Sequence, residues 1–192
     1  MGANATMYTP RWQALPGFVS VNWPQYRGET TLQAIARRLV DEQSMKDGDS
    51  IIGYSLGGMV ACEIAQVRKV GRLVLISSAT SKHEISGLLS FLHPLIDLVP
   101  IEFLRRAASS IPQELAQMFG RCEPDFIRAA CRAIFDWDGL PAHIKCVRIH
   151  GRYDRVIPLP ANIDCVLEGG HLIGLTHPNE CISFLRKKLL SS

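Results

Sequence analysis

Six residues, Gly53-Tyr54-Ser55-Leu56-Gly57-Gly58, constrain the fold of this chain more than any other segment. They join a short apolar run, Ser50-Ile51-Ile52, to a helical stretch from Leu56 to Gln66. A chain that passes from strand to helix through one serine must turn sharply. Glycines two positions before and two positions after Ser55 remove side chains expected to collide there. Such a turn lifts the Ser55 hydroxyl above the end of the strand and aims a helix N-terminus at it, the end that favours developing negative charge. A serine hydroxyl is a weak nucleophile until a base takes its proton. An ordinary glycine-rich, phosphate-binding turn has the same local pattern, but it requires no matched acid and histidine downstream.

The rest of the chain alternates short apolar strands with amphipathic helices, the pattern of an α/β fold with a mostly parallel sheet and helices on both faces. Strands are expected at 17–22, 49–54, 72–77, 146–150 and 163–167. The 72–77 strand, with Leu-Val-Leu-Ile at its centre, is apolar throughout, as in a strand buried on both faces. A helix is expected over 31–43, with Leu32, Ile35, Ala36, Leu39 and Val40 on one face and Thr30 with Gln33 as a capping box. A closing helix is expected over 178–190, with Pro178 in its first turn and Ile182, Leu185 and Leu189 on its apolar face. Residues 79–142 show helical patterns broken by Pro94, Pro100, Pro112 and Pro124, with no strand pattern. Ser81 and Glu84 are placed to cap the first of these helices. This segment reads as a helical cap inserted into a core formed by 1–78 and 143–192, lying over the strand ends where open α/β sheets bind ligands.

Two further motifs supply an acid and a base. Arg148-Ile149-His150-Gly151-Arg152-Tyr153-Asp154 puts Asp154 just past a strand end, and Glu168-Gly169-Gly170-His171 puts His171 on the loop after the last strand. Gly-Tyr-Ser-Leu-Gly-Gly, His-Gly-Arg-Tyr-Asp-Arg-Val-Ile-Pro and Gly-Gly-His together resemble the three landmark motifs of the α/β-hydrolase fold superfamily, in the order serine, aspartate, histidine. The resemblance implies that Ser55 is the nucleophile and that His171 takes its proton and later protonates the leaving group. It also implies that Asp154 holds the imidazole in the right tautomer. His150, inside a strand, reads instead as a packed, hydrogen-bonded side chain.

The sequence departs from the family pattern in two places. The stretch from Asp154 to His171 is short, so a helix usual there is expected to be trimmed to a loop. At the other end, Gly2 matches the glycine of the family's His-Gly-type motif, and Met7-Tyr8 through Trp12 and Leu15 match the helix after it, but the central strand before that glycine is missing. The expectation is a sheet with a defect between 17–22 and 50–54 and truncated N-terminal strands. Either the neighbours close up, another chain fills the gap, or, as favoured here, the sequence starts downstream of the true N-terminus. The backbone N–H of Leu56 is expected as one oxyanion donor and that of Ala3 as the second, less firmly held.

Composition narrows the function classes. A net charge of +3 over 192 residues is too small to argue for a nucleic-acid or membrane partner. No apolar run is long enough to span a bilayer and no signal peptide is visible, so the cytoplasm is the default location. The six cysteines are scattered, without zinc-ligand spacing, and suit a reducing compartment. No metal or organic cofactor is implied. The expected activity is therefore hydrolysis of a small carboxylic ester or related acyl compound through an acyl-serine intermediate. Thioester hydrolysis or acyl transfer on the same triad is an alternative, as is a non-catalytic binding protein that keeps the fold. The apolar residues of 85–104 line an acyl or alcohol pocket in one reading and only pack cap helices in another.

Overall fold

The structure is a computed structural model, and it describes residues 11–85, 87 and 124–190. Among the described residues four strands, β1 (Ile51–Tyr54), β2 (Leu73–Ile76), β3 (Val147–Gly151) and β4 (Cys165–Leu167), form one sheet in the order β1-β2-β3-β4. Every pairing is parallel, with Ile52 opposite Val74, Ile76 opposite Ile149 and Gly151 opposite Leu167. The helices among the described residues are α1 (Leu32–Glu42), α2 (Leu56–Val67), α3 (Pro124–Phe135), α4 (Ile173–Thr176) and α5 (Pro178–Leu190).

β2 divides the interior. All four of its residues are buried, and because successive side chains point to opposite faces, Leu73 and Leu75 enter one core while Val74 and Ile76 enter the other. The first core holds α1, α2 and part of α3; the five apolar residues expected on one face of α1 are all buried there. The second core holds Trp12, Leu15, Ile149, Ile173 and the α5 residues Cys181, Ile182 and Leu185. The Trp12 indole N–H donates to the Gly174 carbonyl at 2.9 Å, tying the N-terminal segment to α4.

Several local expectations are corrected. The cap of α1 is Thr31, whose Oγ1 accepts from Ala34 N–H at 3.1 Å, so the helix begins one residue later than a Thr30–Gln33 box requires. Residues 17–22 form no strand. Phe18 stacks on Trp12 at 5.8 Å, while Val19 and Val21 face solvent. A strand exists only where a neighbour completes its ladder, and among the described residues β1 pairs with β2 alone. Ser81 and Glu84 do not form a capping box. The Glu84 carboxylate accepts from Thr80 N–H at 2.7 Å and pairs with the Arg148 guanidinium at 2.8 Å, so this residue serves the core rather than a helix start. The stretch between Asp154 and β4 is a loop, as its length implied.

Of the segment 79–142, a 3-10 turn at Lys82–Ile85 and helix α3 are described; most of residues 85–104 lie outside the described residues. Phe126 of α3 lies 5.8 Å from the rings of both Trp23 and Tyr26, and the Trp137 indole N–H donates to Glu63 of α2 at 2.9 Å. These contacts set α3 against the same face of the sheet as α1 and α2.

Candidate active site

Ser55 follows β1 directly and caps α2 with φ 52° and ψ −125°, a conformation that L-residues rarely adopt. Two contacts show how the sequence forces it. A Cβ at Gly53 would lie 2.5 Å from the Gly57 carbonyl oxygen, and a Cβ at Gly58 would lie 2.5 Å from Ser78 Cβ. Gly57 is different: a Cβ there would meet only Trp23, at 3.8 Å. The glycine needed after the serine is therefore the third residue on, not the second as the sequence reading held. Ser78 has a further role, since its hydroxyl donates to the Ser55 carbonyl at 2.7 Å and ties the turn to the end of β2.

The three residues singled out by the sequence meet at the C-terminal edge of the sheet. Ser55 Oγ is 2.9 Å from His171 Nε2, and His171 Nδ1 is 2.8 Å from Asp154 Oδ2. His171 is fully buried and the other two nearly so. The second Asp154 oxygen, Oδ1, accepts the backbone N–H groups of Val156 and Ile157, each at 2.9 Å, which explains why the loop after β3 folds back on the acid. Burial alone would raise the Asp154 carboxyl, but hydrogen bonds from His150 and His171 outweigh it and hold the group down to about 2. A carboxylate fixed on Nδ1 requires the proton there, so Nε2 is left as an acceptor for the Ser55 hydroxyl.

The sequence did not reveal the supports of His171. The Tyr54 hydroxyl donates to the His171 backbone carbonyl, and the two rings lie 5.7 Å apart. A Cβ at Gly151 would lie 2.5 Å from the Gly169 carbonyl oxygen, so the His-Gly and Gly-Gly-His motifs are shaped to each other. Nor was it foreseen that His150, buried on β3, would reach Asp154 Oδ2 at 3.2 Å. A period-2 strand pattern puts His150 on a known face but does not indicate what meets it there.

Leu56 is the first residue of α2, so its backbone N–H is one of the helix's unpaired initial donors, beside Ser55. Ala3 lies outside the described residues. Among the described residues no group of His, Cys, Asp or Glu side chains is arranged to hold a metal ion, and no helix is long and apolar enough to cross a membrane.

The sequence model of a family described as the alpha/beta hydrolase family matches residues 2–183. No curated protein sequence matches the chain. Among solved structures, a thermophilic esterase from Thermogutta terrifontis is similar with a TM-score of 0.68 at 17% identity, over 98% of this chain and 86% of that one. The enol-lactonase from Burkholderia xenovorans LB400 gives 0.64 at 16%, over 98% and 88%. The RedJ thioesterase of the prodiginine biosynthetic pathway in Streptomyces coelicolor gives 0.62 at 18%, over 90% and 80%.

Proposed function

From the premise that this chain belongs to the alpha/beta hydrolase family, we propose that it is a serine hydrolase that cleaves a carboxylic ester or related acyl compound through an acyl-Ser55 intermediate. The observation that carries this reading is the unbroken hydrogen-bond chain from Ser55 Oγ through His171 to Asp154.

In this reading Ser55 Oγ attacks the acyl carbon while His171 Nε2 accepts its proton. Asp154 keeps the imidazole oriented and stabilises its charged form. Negative charge gathers on the carbonyl oxygen and is met by the Leu56 N–H and the positive end of α2, with Ala3 as second donor. His171 then protonates the departing alkoxide, and water repeats the sequence on the acyl-serine. Residues 79–142 are taken as the insertion between the core segments 1–78 and 143–192, and its described parts, the Lys82–Ile85 turn and α3, pack in the first core.

The presence of a thioesterase among the similar structures favours a thioester as the second candidate bond. A fluorophosphonate probe tests the central claim. It is expected to label the wild-type chain at Ser55 and to leave Ser55→Ala unlabelled. Hydrolysis of matched aryl esters and acyl thioesters then decides between the two bonds. An inert Ser55 would leave the non-catalytic binding protein as the standing explanation.

A further inference from the structure

Asp154 Oδ2 carries two imidazoles. His171 approaches at 2.8 Å and His150 at 3.2 Å, with both histidines and the carboxylate buried. His150 Nε2 also lies 2.9 Å from the Ile157 carbonyl oxygen. A carboxylate oxygen and a carbonyl oxygen both only accept, so Nε2 must bear the proton and share it between them. This fixes the His150 tautomer by chemistry rather than by choice.

The origins of the four contacts to Asp154 differ. Val156 and Ile157 belong to the loop that bears the acid, and His171 belongs to another loop. His150 stands on β3, inside the sheet, one residue from Ile149, which pairs with Ile76. It is therefore the contact that refers the position of the acid to the rigid part of the fold. Through Ile157 it also pins the loop whose N–H groups hold Oδ1.

We infer that His150 is a positioning residue of the site: its Nε2–H joins Asp154 Oδ2 to the Ile157 carbonyl and locks the rotation of the carboxylate that orients His171. The inference deepens the serine-hydrolase reading and rests on it for its kinetic consequence. The proton arrangement itself stands on geometry alone.

Two measurements test it. The first uses the unsubstituted chain with 15N-labelled histidine. The His150 Nε2 signal is expected to show an attached proton at neutral pH and to shift in Asp154→Asn. An unprotonated Nε2, or a signal indifferent to Asp154→Asn, overturns the inference whether or not the protein turns over any ester. The second is kinetic. His150→Phe keeps an aromatic ring but removes the donor, and is expected to lower kcat roughly ten- to a hundredfold, the worth of a charge-assisted hydrogen bond, with KM within about twofold. His150→Gln places an N–H where Nε2 was and is expected to restore kcat to within about threefold of wild type. A fully active Phe variant, or a folded Gln variant as poor as Phe, overturns the positioning role. If His150→Phe does not fold, the Gln variant and the nitrogen signals decide. If wild type neither hydrolyses acyl substrates nor reacts with a fluorophosphonate, the hydrolase reading fails, and the nitrogen signals still answer whether His150 clamps Asp154.

Discussion

Alanine at Gly57, the glycine that the sequence pattern singles out, and alanine at Gly58 should have opposite effects, with Gly58 the position that suffers. A Cβ at Gly58 would sit 2.5 Å from Ser78 Cβ, and both residues are buried. Ser78 must then move, and its 2.7 Å bond to the Ser55 carbonyl is lost or bent. Overpacking of a tight interior costs about 1–3 kcal/mol, and the lost hydrogen bond adds about 1 kcal/mol. Alanine returns up to about 1 kcal/mol of helix propensity in α2. The net cost for Gly58→Ala is about 2 kcal/mol, which for a chain of this size lowers Tm by roughly 4–8 °C. At Gly57 the added methyl meets only Trp23, at an ordinary 3.8 Å, so the propensity gain stands and Tm should hold or rise slightly. The double variant Gly58→Ala with Ser78→Gly frees the space and should recover part of the loss. Thermal unfolding followed by circular dichroism reads the stability, and the rate of fluorophosphonate labelling reads the Ser55 hydroxyl. Gly58→Ala should slow labelling as well as melt lower. Equal melting temperatures for the two single variants, or no recovery in the double, would refute the claim that contact with Ser78 fixes the turn.

Other expectations follow from the same geometry. Asp154 has a depressed carboxyl in the folded chain, so its stabilising contribution is complete above the unfolded value near 3.8 and is lost as pH falls toward about 2; on the order of 2 kcal/mol should disappear across that window, and urea unfolding of Asp154→Asn at a series of pH values should lack this component. Acyl turnover by Asp154→Asn at neutral pH should drop by about 10⁴, because the amide favours the wrong imidazole tautomer, as in the serine-protease case from which that magnitude is taken. Glu84→Ala leaves the buried Arg148 guanidinium without its carboxylate and should destabilise by about 3 kcal/mol, while Glu84→Gln should cost less because it keeps an acceptor. Tyr54→Phe removes the donor to the His171 carbonyl and should lower kcat several-fold and Tm by about 2–4 °C, since a single hydrogen bond to backbone is worth about 1 kcal/mol.

The parts of the fold that could be read from the sequence are those with a local cause. Short apolar runs placed β1 to β4 within one or two residues, because each run is bounded by turn residues. Ser55 stood out because a sharp strand-to-helix turn demands glycines around it, whereas Asp154 and His171 were picked out by the resemblance of their motifs, and the order serine, aspartate, histidine, to the α/β-hydrolase pattern. What was missed depends on contact between distant segments. Residues 17–22 have strand-like composition, but a strand needs a neighbour, and composition cannot report one. Glu84 sits three residues after Ser81 as a capping box requires, yet Arg148, 64 residues away, takes its carboxylate. His150 was correctly taken as packed and hydrogen-bonded, but its partner lies across a loop whose path no pattern encodes.

The backbone of Ser55 bears on how this chain would respond to selection. A non-glycine residue at φ 52° and ψ −125° stores about 1–3 kcal/mol, held in place by the surrounding turn. Glycine tolerates that conformation, so Ser55→Gly should relax the turn and raise the melting temperature while deleting the hydroxyl. A library ranked only by thermal resistance would thus drift toward losing the one atom on which the proposed chemistry depends. Reactivity and robustness compete at a single pair of torsion angles, and directed evolution of this chain must screen for both at once.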